Sequence, residues 1–334
     1  MAGTRDSNDA HSDEFQRIAQ YFAPLTSGPE NTGEAFGLRD DAALLDVPAD
    51  QQLVLTKDMM AAGVHFFADD APDLIARKLL RVNLSDLAGM GAVPVGYLLG
   101  LGVTPDIDDA WVAAFAEGLA ADQQTFGVTL LGGDSIASPT DITLSLTALG
   151  QVAKGQALTR SGAQAGDVVY VSGTIGDAAL GLLAIQGHLP DADDFLKQRY
   201  WLPQPRAALG PVLCGVAHAA MDISDGLLAD LGHMAAASDV AIHLEQDAIP
   251  LSAAAQSALQ ADGGLWQTIL TGGDDYELAF AAPPGAAVAL ENLAAQIDIP
   301  LTRIGHVAEG AGVQICDSDG RAPDFAQTGY RHFP

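Results

Sequence analysis

The chain has 334 residues, of which 49% are hydrophobic and 17% are charged, and its formal net charge at pH 7 is -28. A surface this acidic repels nucleic-acid backbones and anionic membranes, so we expect neither as a partner. No apolar run reaches the length that spans a bilayer. Residues 1–14 are polar and acidic and have no apolar core of a signal peptide, which predicts a disordered N-terminal extension. The two cysteines, Cys214 and Cys316, form no C-x-x-C pattern and fit a reducing cytoplasm.

Hydrophobic patterning predicts alternating strands and helices in the first half of the chain. The predicted elements are a strand over Leu53–Thr56 that ends at Lys57-Asp58, a helix from Asp73 to about Leu87, a strand over Val95–Val103, a helix from Asp108 to about Phe126, and strands over Val128–Leu131 and Ile142–Val152. This alternation is typical of α/β or α+β packing.

The segment Ala153–Asp167 is rich in Gly, Ala and Gln, which predicts a domain junction. We therefore expect an N-terminal domain over residues 15–153 and a C-terminal domain over residues 154–334. The elements predicted after the junction are a strand over Val168–Ser172, a helix near Asp177–Gln186, a helix opened by M-D-I-S-D-G, a strand over Ala241–Glu245, a helix near Ser252–Gln260, and a last helix with two strands.

Several familiar signatures are absent from the sequence. There is no Gly-Lys-Ser/Thr of a P-loop, no G-x-G-x-x-G after a strand, no H-E-x-x-H and no G-x-S-x-G. The sequence therefore contains no motif that would indicate one of the common nucleotide-binding, zinc-protease or α/β-hydrolase chemistries.

Aspartates recur instead at the predicted ends of strands and helices. The five sites are Gly37–Leu45, which contains Asp40 and Asp41, Leu55–Asp58, Asn83–Ala92, the L-L-G-G-D-S stretch with Asp134, and Met221–Gly226 with Asp222 and Asp225. Any one of them has an ordinary explanation as a turn or a helix cap. Asp86 is the exception, because a carboxylate on an apolar helix face is unfavourable unless it is paired or bound to metal. Five such sites in one chain favour a shared cation cluster, and oxygen ligands suit hard cations.

Four further features have two interpretations each. Backbone N–H groups near Gly132-Gly133 and at the helix start after Ser224 can bind phosphate or simply form turns. His65 can contact a ligand or be a hydrogen-bonded strand histidine, which its sequence alone favours. Arg160 can clamp a phosphate or lie on the surface.

Taken together, these stretches resemble one known family. They are G-L-R-D-D-A-A-L-L, T-K-D-M-M-A-A-G-V-H-F, N-L-S-D-L-A-G-M-G-A, L-L-G-G-D-S, L-T-R-S-G-A-Q-A-G-D, D-I-S-D-G-L-L-A-D-L, G-G-D-D-Y-E-L and G-Y-R-H-F. Their order and spacing, from about Gly37 to Phe333, are similar to the thiamine-monophosphate kinases of the aminoimidazole-ribonucleotide synthetase-like ATP-binding superfamily.

The resemblance implies a two-domain α/β (α+β) fold. Its N-terminal mixed sheet would pair with that of a second subunit in a homodimer, and its C-terminal domain would be an α/β sandwich. It also implies a cytoplasmic enzyme that transfers the γ-phosphoryl group of ATP to thiamine monophosphate with the help of several Mg²⁺ ions.

The resemblance also implies roles for individual residues. The implied metal-site positions are Asp41, Thr56, Lys57, Asp58, Asp86, Asp134, Asp222 and Asp225, with Asp58, Asp86 and Asp222 as the catalytic ones. The implied nucleotide contacts are Gly133, Asp134, Arg160 and Ser224, and the implied thiamine-phosphate contacts are His65, Asp274 and Tyr330. Asp230 matches no family role and is predicted to be a solvated side chain.

Two positions depart from the family pattern. Lys57 stands where the family usually has a second hydroxyl residue, which is harmless if that position binds metal through its backbone carbonyl. Asp274 stands where the family usually has Glu, so its shorter arm changes the contact with the substrate. Two other hypotheses stay open: a superfamily synthetase with a different acceptor, and a non-catalytic protein that binds nucleotide or thiamine phosphate.

Overall fold

A computed structural model describes residues 14–28, 33–191, 193–321 and Gly329. The predicted disordered extension falls outside the described residues except for Glu14, which begins the first helix. The described chain divides into two compact units. The first unit comprises the residues up to Val47, Leu55–Asn83 and Pro94–Leu149, and the second unit comprises Pro48–Val54, Leu84–Val93 and the residues from Gly150 onward.

The elements up to residue 153 alternate as the hydrophobic pattern predicts. They are α1 (Glu14–Arg17), β1 (Gln51–Ala61), α2 (Pro72–Gly89), β2 (Val93–Val103), α3 (Asp109–Phe126), β3 (Thr129–Ala137) and β4 (Thr143–Ala153). The strands form one sheet in the order β1-β4-β2-β3, in which β2 and β3 run parallel. Asp108 caps α3 by accepting a hydrogen bond from the backbone N–H of Trp111, as its position before the helix predicts.

Two predicted strand ends are wrong. The first strand does not end at Lys57-Asp58 but continues to Ala61, because β1 lies at an edge of the sheet where polar side chains are tolerated. The glycines of L-L-G-G-D-S do not form a turn but lie inside β3. A Cβ atom on Gly133 would lie 2.1 Å from the carbonyl oxygen of Leu99, so this glycine lets β3 approach the backbone of β2.

The elements after the junction begin with β5 (Val168–Ser172), α4 (Asp177–Ile185), α5 (Phe195–Trp201), α6 (Leu209–Leu213), β6 (Ala219–Asp222), α7 (Leu227–Ser238) and β7 (Ala241–Glu245). They continue with α8 (Ala253–Ala261), α9 (Trp266–Thr271), β8 (Leu278–Ala282), α10 (Ala287–Ile297), β9 (Leu301–Ala308) and β10 (Gly312–Cys316). The predicted strands over Val168–Ser172 and Ala241–Glu245 are confirmed with the same bounds.

These strands form a six-stranded sheet in the order β10-β7-β9-β5-β8-β6. Its pairs are antiparallel except for β10 with β7, which are parallel. Every residue of β8 is buried, and alternate side chains of β5 join two separate apolar clusters. The sheet is therefore packed on both faces, as an α/β sandwich requires. None of the described helices is long and apolar enough to cross a membrane.

Candidate active site

In the first unit, the middle of β1 presents Thr56 and Asp58 on one face and Lys57 on the other, because successive side chains of a strand alternate. The backbone N–H of Asp58 donates to Asn83 Oδ1 at 3.1 Å. Asn83 is fully buried on α2, and its amide also donates to the carbonyl of Leu79 at 2.9 Å. The asparagine of N-L-S-D therefore fixes the strand at the aspartate that the resemblance assigns to metal.

The side chain of Lys57 is exposed, and its ammonium donates to Ser145 Oγ on the adjacent strand β4. That contact lies on the face opposite to Thr56 and Asp58. The ammonium of Lys57 is therefore directed away from the face of the strand on which Asp58 lies.

His65 lies in a turn that follows β1, and not in a strand as its sequence alone suggested. The backbone N–H of Ala61 donates to its Nδ1 at 3.2 Å, and Lys78 donates to its carbonyl oxygen. Because Nδ1 accepts a hydrogen bond, the proton of the neutral ring lies on Nε2. The ring is thus held in the tautomer that can donate from Nε2 to an anionic oxygen.

A cavity of about 820 Å³ in the first unit brings together three of the predicted site residues. Asp41, Gly133 and Asp134 line it together with apolar side chains such as Leu101 and Leu130, and charged side chains including Arg17 also contribute to its wall. Gly133 and Asp134 are exposed on β3, which is the other edge of the sheet. An apolar cavity with a few convergent polar groups is typical of a small-molecule site.

In the second unit, the end of α2 presents Asp86 and supports Asp222. From Lys78 to Gly89 every residue of the helix is buried except Asp86, which is partly exposed. The neighbouring Ser85 is fully buried and donates from Oγ to Asp222 Oδ2 at 2.7 Å. Asp222, the last residue of β6, is itself 5% exposed. Ser85 therefore orients a predicted metal ligand, a role that its sequence position did not reveal.

The loop from Asp222 to Gly226 carries Ser224 and Asp225, which are both partly exposed. Their backbone N–H groups both donate to Asp230 Oδ2 at 3.0 Å. The prediction that Asp230 is solvated is wrong, because its side chain turns back under the loop and the residue is only 2% exposed. Burial raises the pKa of Asp230 to about 7, although the two N–H donors act in the opposite direction.

The segment Gly272–Glu277 runs beside this loop, and from Asp274 to Glu277 partly exposed and buried residues alternate. Asp274 and Tyr276 are partly exposed, and the Tyr276 hydroxyl donates to Asp274 Oδ1 at 3.2 Å. Both residues have positive φ angles, of 74° and 50°, a conformation that side chains other than glycine seldom adopt. Their backbone N–H groups donate to the carbonyls of Ser224 and Ile223 at 2.9 and 2.8 Å, so the two segments form one hydrogen-bonded unit.

The buried members of the same segment anchor it. Glu277 is fully buried and forms ion pairs with Arg199 and Arg206, and Ser172 Oγ donates to it at 2.6 Å. Asp275 is 1% exposed and accepts hydrogen bonds from the backbone N–H of Gly176 through both carboxylate oxygens. These contacts hold Asp274 in its strained conformation, which is how strained residues persist at functional sites.

The remaining predicted contacts lie close to the loop or beyond the described residues. Arg160 is exposed, and its positive charge lowers the pKa of Asp230, so its guanidinium lies near the loop. Gly329 lies against the first turn of α7, since an added Cβ would be 3.0 Å from the Asp225 carbonyl oxygen. Tyr330 itself lies outside the described residues.

The donor set fits a hard cation in its chemistry. All the predicted ligand side chains except that of Lys57 are carboxylates or hydroxyls, which are the ligands that Mg²⁺ prefers. Within the described part of the chain, no three His, Cys, Asp or Glu side chains are arranged to hold a metal ion by themselves. Mg²⁺ usually binds through one or two carboxylates and takes its other ligands from water and substrate phosphates. The residues therefore fit a cation that binds together with a phosphorylated substrate.

Comparison with known proteins identifies the family. The family described as AIR synthase related protein, N-terminal domain, matches residues 39–152, and the corresponding C-terminal domain matches residues 164–317. The thiamine-monophosphate kinase of Caulobacter vibrioides is 44% identical over 305 residues, which cover 90% of this chain and 85% of that protein. The thiamine-monophosphate kinase of Escherichia coli K12 is 39% identical over 324 residues, which cover 96% and 98%. The chain belongs to the thiamine-monophosphate kinase family.

Solved structures of this family share the fold. The thiamine-monophosphate kinase of Stenotrophomonas maltophilia K279a matches with a TM-score of 0.82 and 44% identity, covering 92% of this chain and 96% of that one. AaThiL complexed with AMPPCP and TMP matches with a TM-score of 0.75 and 30% identity, covering 92% and 99%. The resemblance seen in the motifs and the two-domain fold that it implied are confirmed.

A buried acid with a raised pKa gives a testable pH dependence. Burial raises the pKa of Asp275 well above its ordinary value, and the nearby charges of Asp177 and Glu277 add to this while Arg199 opposes it. The folded protein then retains a proton that the unfolded chain releases, so stability is lost as pH rises through this interval. Asp275→Asn keeps an acceptor for Gly176 but carries no charge.

We expect the free energy of unfolding of Asp275→Asn, relative to wild type, to increase as pH rises above about 4, the ordinary pKa of an Asp side chain. Denaturant unfolding at a series of pH values measures this difference. A difference that stays constant with pH, or that decreases as pH rises, would contradict the assignment of a buried, charge-disfavouring environment to Asp275.

Proposed function

We propose that this chain phosphorylates thiamine monophosphate to thiamine diphosphate at the expense of ATP, with release of ADP. The observation that carries the proposal is 39% identity to the E. coli kinase over nearly the full length of both proteins. The related AaThiL has been solved with AMPPCP and TMP, an ATP analogue and a second phosphorylated ligand. Family membership and the residues at positions 65 and 274 favour thiamine phosphate over the acceptors of other superfamily synthetases.

The predicted site residues fall into two groups, according to the substrate that each would contact. Gly133, Arg160 and Ser224 would contact ATP, through backbone N–H groups, a guanidinium and a hydroxyl that all suit phosphate oxygens. His65, Asp274 and Tyr330 would contact thiamine monophosphate. The Nε2–H of His65 can donate to its phosphate, and the hydrogen bond from Tyr276 holds the short side chain of Asp274 in one orientation.

Each unit carries oxygen ligands that would hold magnesium ions. The proposed positions are Asp41, Thr56, Asp58 and Asp134 in the first unit, with the backbone carbonyl of Lys57, and Asp86, Asp222 and Asp225 in the second unit. When bound, Mg²⁺ would neutralise phosphate charge and align the transferring group. Asn83 and Ser85 contribute by fixing the backbone of Asp58 and the carboxylate of Asp222.

The chemical step needs alignment more than acid–base help from the protein. A phosphate oxygen of thiamine monophosphate attacks the γ-phosphorus of ATP, and the bond from that phosphorus to the bridging oxygen of ADP breaks. The attacking oxygen is already anionic near neutral pH, so no side chain has to remove a proton. This agrees with the lack of a persuasive general base among the predicted site residues.

A homodimer in the cytoplasm completes the proposal. The outward face of β1 exposes Leu55 by 63% and Met59 by 56%, and both flank Lys57. Large apolar side chains on an edge strand favour coverage by another protein surface. A second copy of the chain, packed on this face, would bury them. The two cysteines of the chain, Cys214 and Cys316, are both free, which fits a reducing compartment.

The function is tested by incubating the protein with ATP, Mg²⁺ and thiamine monophosphate and following thiamine diphosphate by chromatography. We expect Asp58→Asn and Asp86→Asn to lower kcat by at least about 100-fold with no change in thermal stability, because these carboxylates bind cations and not the core. Asp141→Asn, an aspartate next to β4 with no predicted role, serves as the control. Phosphorylation of free thiamine but not of the monophosphate would refute the function, and undiminished turnover in both variants would refute the metal role.

The dimer is tested by sedimentation equilibrium on wild type and Leu55→Glu. We expect wild type to sediment as a dimer and the variant as a monomer, because the new carboxylate would have to be buried without a partner. The matched control is Val288→Glu, because Val288 is 68% exposed on α10, and we expect this variant to remain a dimer. A monomeric wild type, or a Leu55→Glu variant that stays dimeric, would contradict the proposed interface.

A further inference from the structure

We propose that Asp230 is a positioning residue that holds the loop from Asp222 to Gly226 in the shape needed to bind nucleotide and Mg²⁺. The inference rests on the proposed function, because it concerns how two residues of that site, Ser224 and Asp225, are presented. Asp230 itself would touch neither the substrate nor a metal ion.

The geometry of the contact carries the proposal. A single carboxylate oxygen, Asp230 Oδ2, accepts the backbone N–H groups of both Ser224 and Asp225 at 3.0 Å. These are the residues on which the predicted nucleotide contact and a predicted metal ligand lie. Both N–H groups are directed to Asp230, while the residues that carry them remain partly exposed. Two hydrogen bonds to one oxygen define the loop conformation more tightly than either would alone.

The position of Asp230 in the helix explains why the loop depends on it. α7 begins after Gly226, which has no side chain to cap the helix. Asp230 lies in the first turn, where a carboxylate is favoured by the helix dipole, and its side chain reaches back past Gly226 to the N–H groups of the preceding loop. At 2% exposure a carboxylate is unfavourable unless it is hydrogen-bonded. The buried acid and the loop conformation therefore require each other.

The other side of the loop is held independently. The carbonyl of Ser224 accepts the N–H of Asp274 at 2.9 Å, and a Cβ on Gly273 would lie 2.3 Å from the same carbonyl oxygen. Loss of the Asp230 contact would thus free the N–H side of the loop while its carbonyl side stays paired. We therefore expect the nucleotide and Mg²⁺ contacts to suffer more than the contact that Asp274 would make with thiamine monophosphate.

Two substitutions separate positioning from charge. Asp230→Asn keeps one oxygen that can accept both N–H groups, whereas Asp230→Ala removes the acceptor. We expect Asp230→Ala to raise the KM for Mg-ATP and the Mg²⁺ concentration for half-maximal rate by about 10- to 100-fold, with a smaller change in the KM for thiamine monophosphate. Asp230→Asn should remain close to wild type in all three. If Asp230→Ala does not fold, Asp230→Ser, whose hydroxyl reaches less far, takes its place.

Asp317 provides a matched control. Its Oδ1 accepts the backbone N–H groups of Asp319 and Arg321, at 3.0 and 2.8 Å, in a turn that carries no predicted site residue. Asp317→Ala removes the same kind of double hydrogen bond and should leave the KM for Mg-ATP unchanged. Thermal melting of each variant, measured in parallel, separates a loss of stability from a loss of positioning.

The outcomes distinguish the possible roles. A normal KM for Mg-ATP in Asp230→Ala, with only a lower melting temperature, would show a purely structural role and overturn the proposal. Equal defects in Asp230→Asn and Asp230→Ala would show that the charge acts directly, and would overturn it as well. Calorimetric binding of a Mg-bound, non-hydrolysable ATP analogue to the same variants tests the inference even if wild type does not phosphorylate thiamine monophosphate, an outcome that would refute the proposed function alone.

Discussion

Buried carboxylates of the second unit hold the backbone from which the proposed site projects. Asp230 accepts two N–H groups of the loop after β6, Asp275 accepts the N–H of Gly176, and Glu277 is held by two arginines. Removing these charges from water is unfavourable, and only a complete set of hydrogen bonds offsets it. The partly exposed residues next to these buried carboxylates, such as Ser224 and Asp274, are therefore held in fixed positions.

The net charge of the protein explains why its exposed carboxylates indicate that cations are bound. A chain with a net charge of -28 would repel both ATP and thiamine monophosphate. Asp86 emerges from an otherwise buried stretch of helix, and Asp41 and Asp134 line a cavity whose wall is mostly apolar. Cations bound at such positions would reverse the local sign of the potential, which is why the same aspartates can serve an enzyme whose substrates are anions.

Features set by neighbouring residues were predictable from the sequence. The helix predicted from Asp108 to about Phe126 and the strand over Val168–Ser172 depend on short-range patterns, and the structure has them at Asp109–Phe126 and Val168–Ser172. Features that depend on contacts between residues far apart in the sequence were not predictable. For Gly133 the sequence left phosphate binding and a turn as the two interpretations, because its close approach to the backbone of Leu99 is not visible in the sequence. Likewise Ser85 reaches Asp222 across 137 positions in the chain, and the family motifs name the aspartates but not the groups that orient them.

We propose above all that the aspartates of the site, including the buried Asp222, bind divalent cations together with the phosphorylated substrates. The most direct test is a titration of the protein with Mn²⁺ followed by electron paramagnetic resonance, with and without a non-hydrolysable ATP analogue and thiamine monophosphate. We expect more than one Mn²⁺ ion to bind per chain when both ligands are present, and we expect Asp222→Asn to bind fewer ions. Binding of a single ion, or a number of ions unaffected by this substitution, would contradict it.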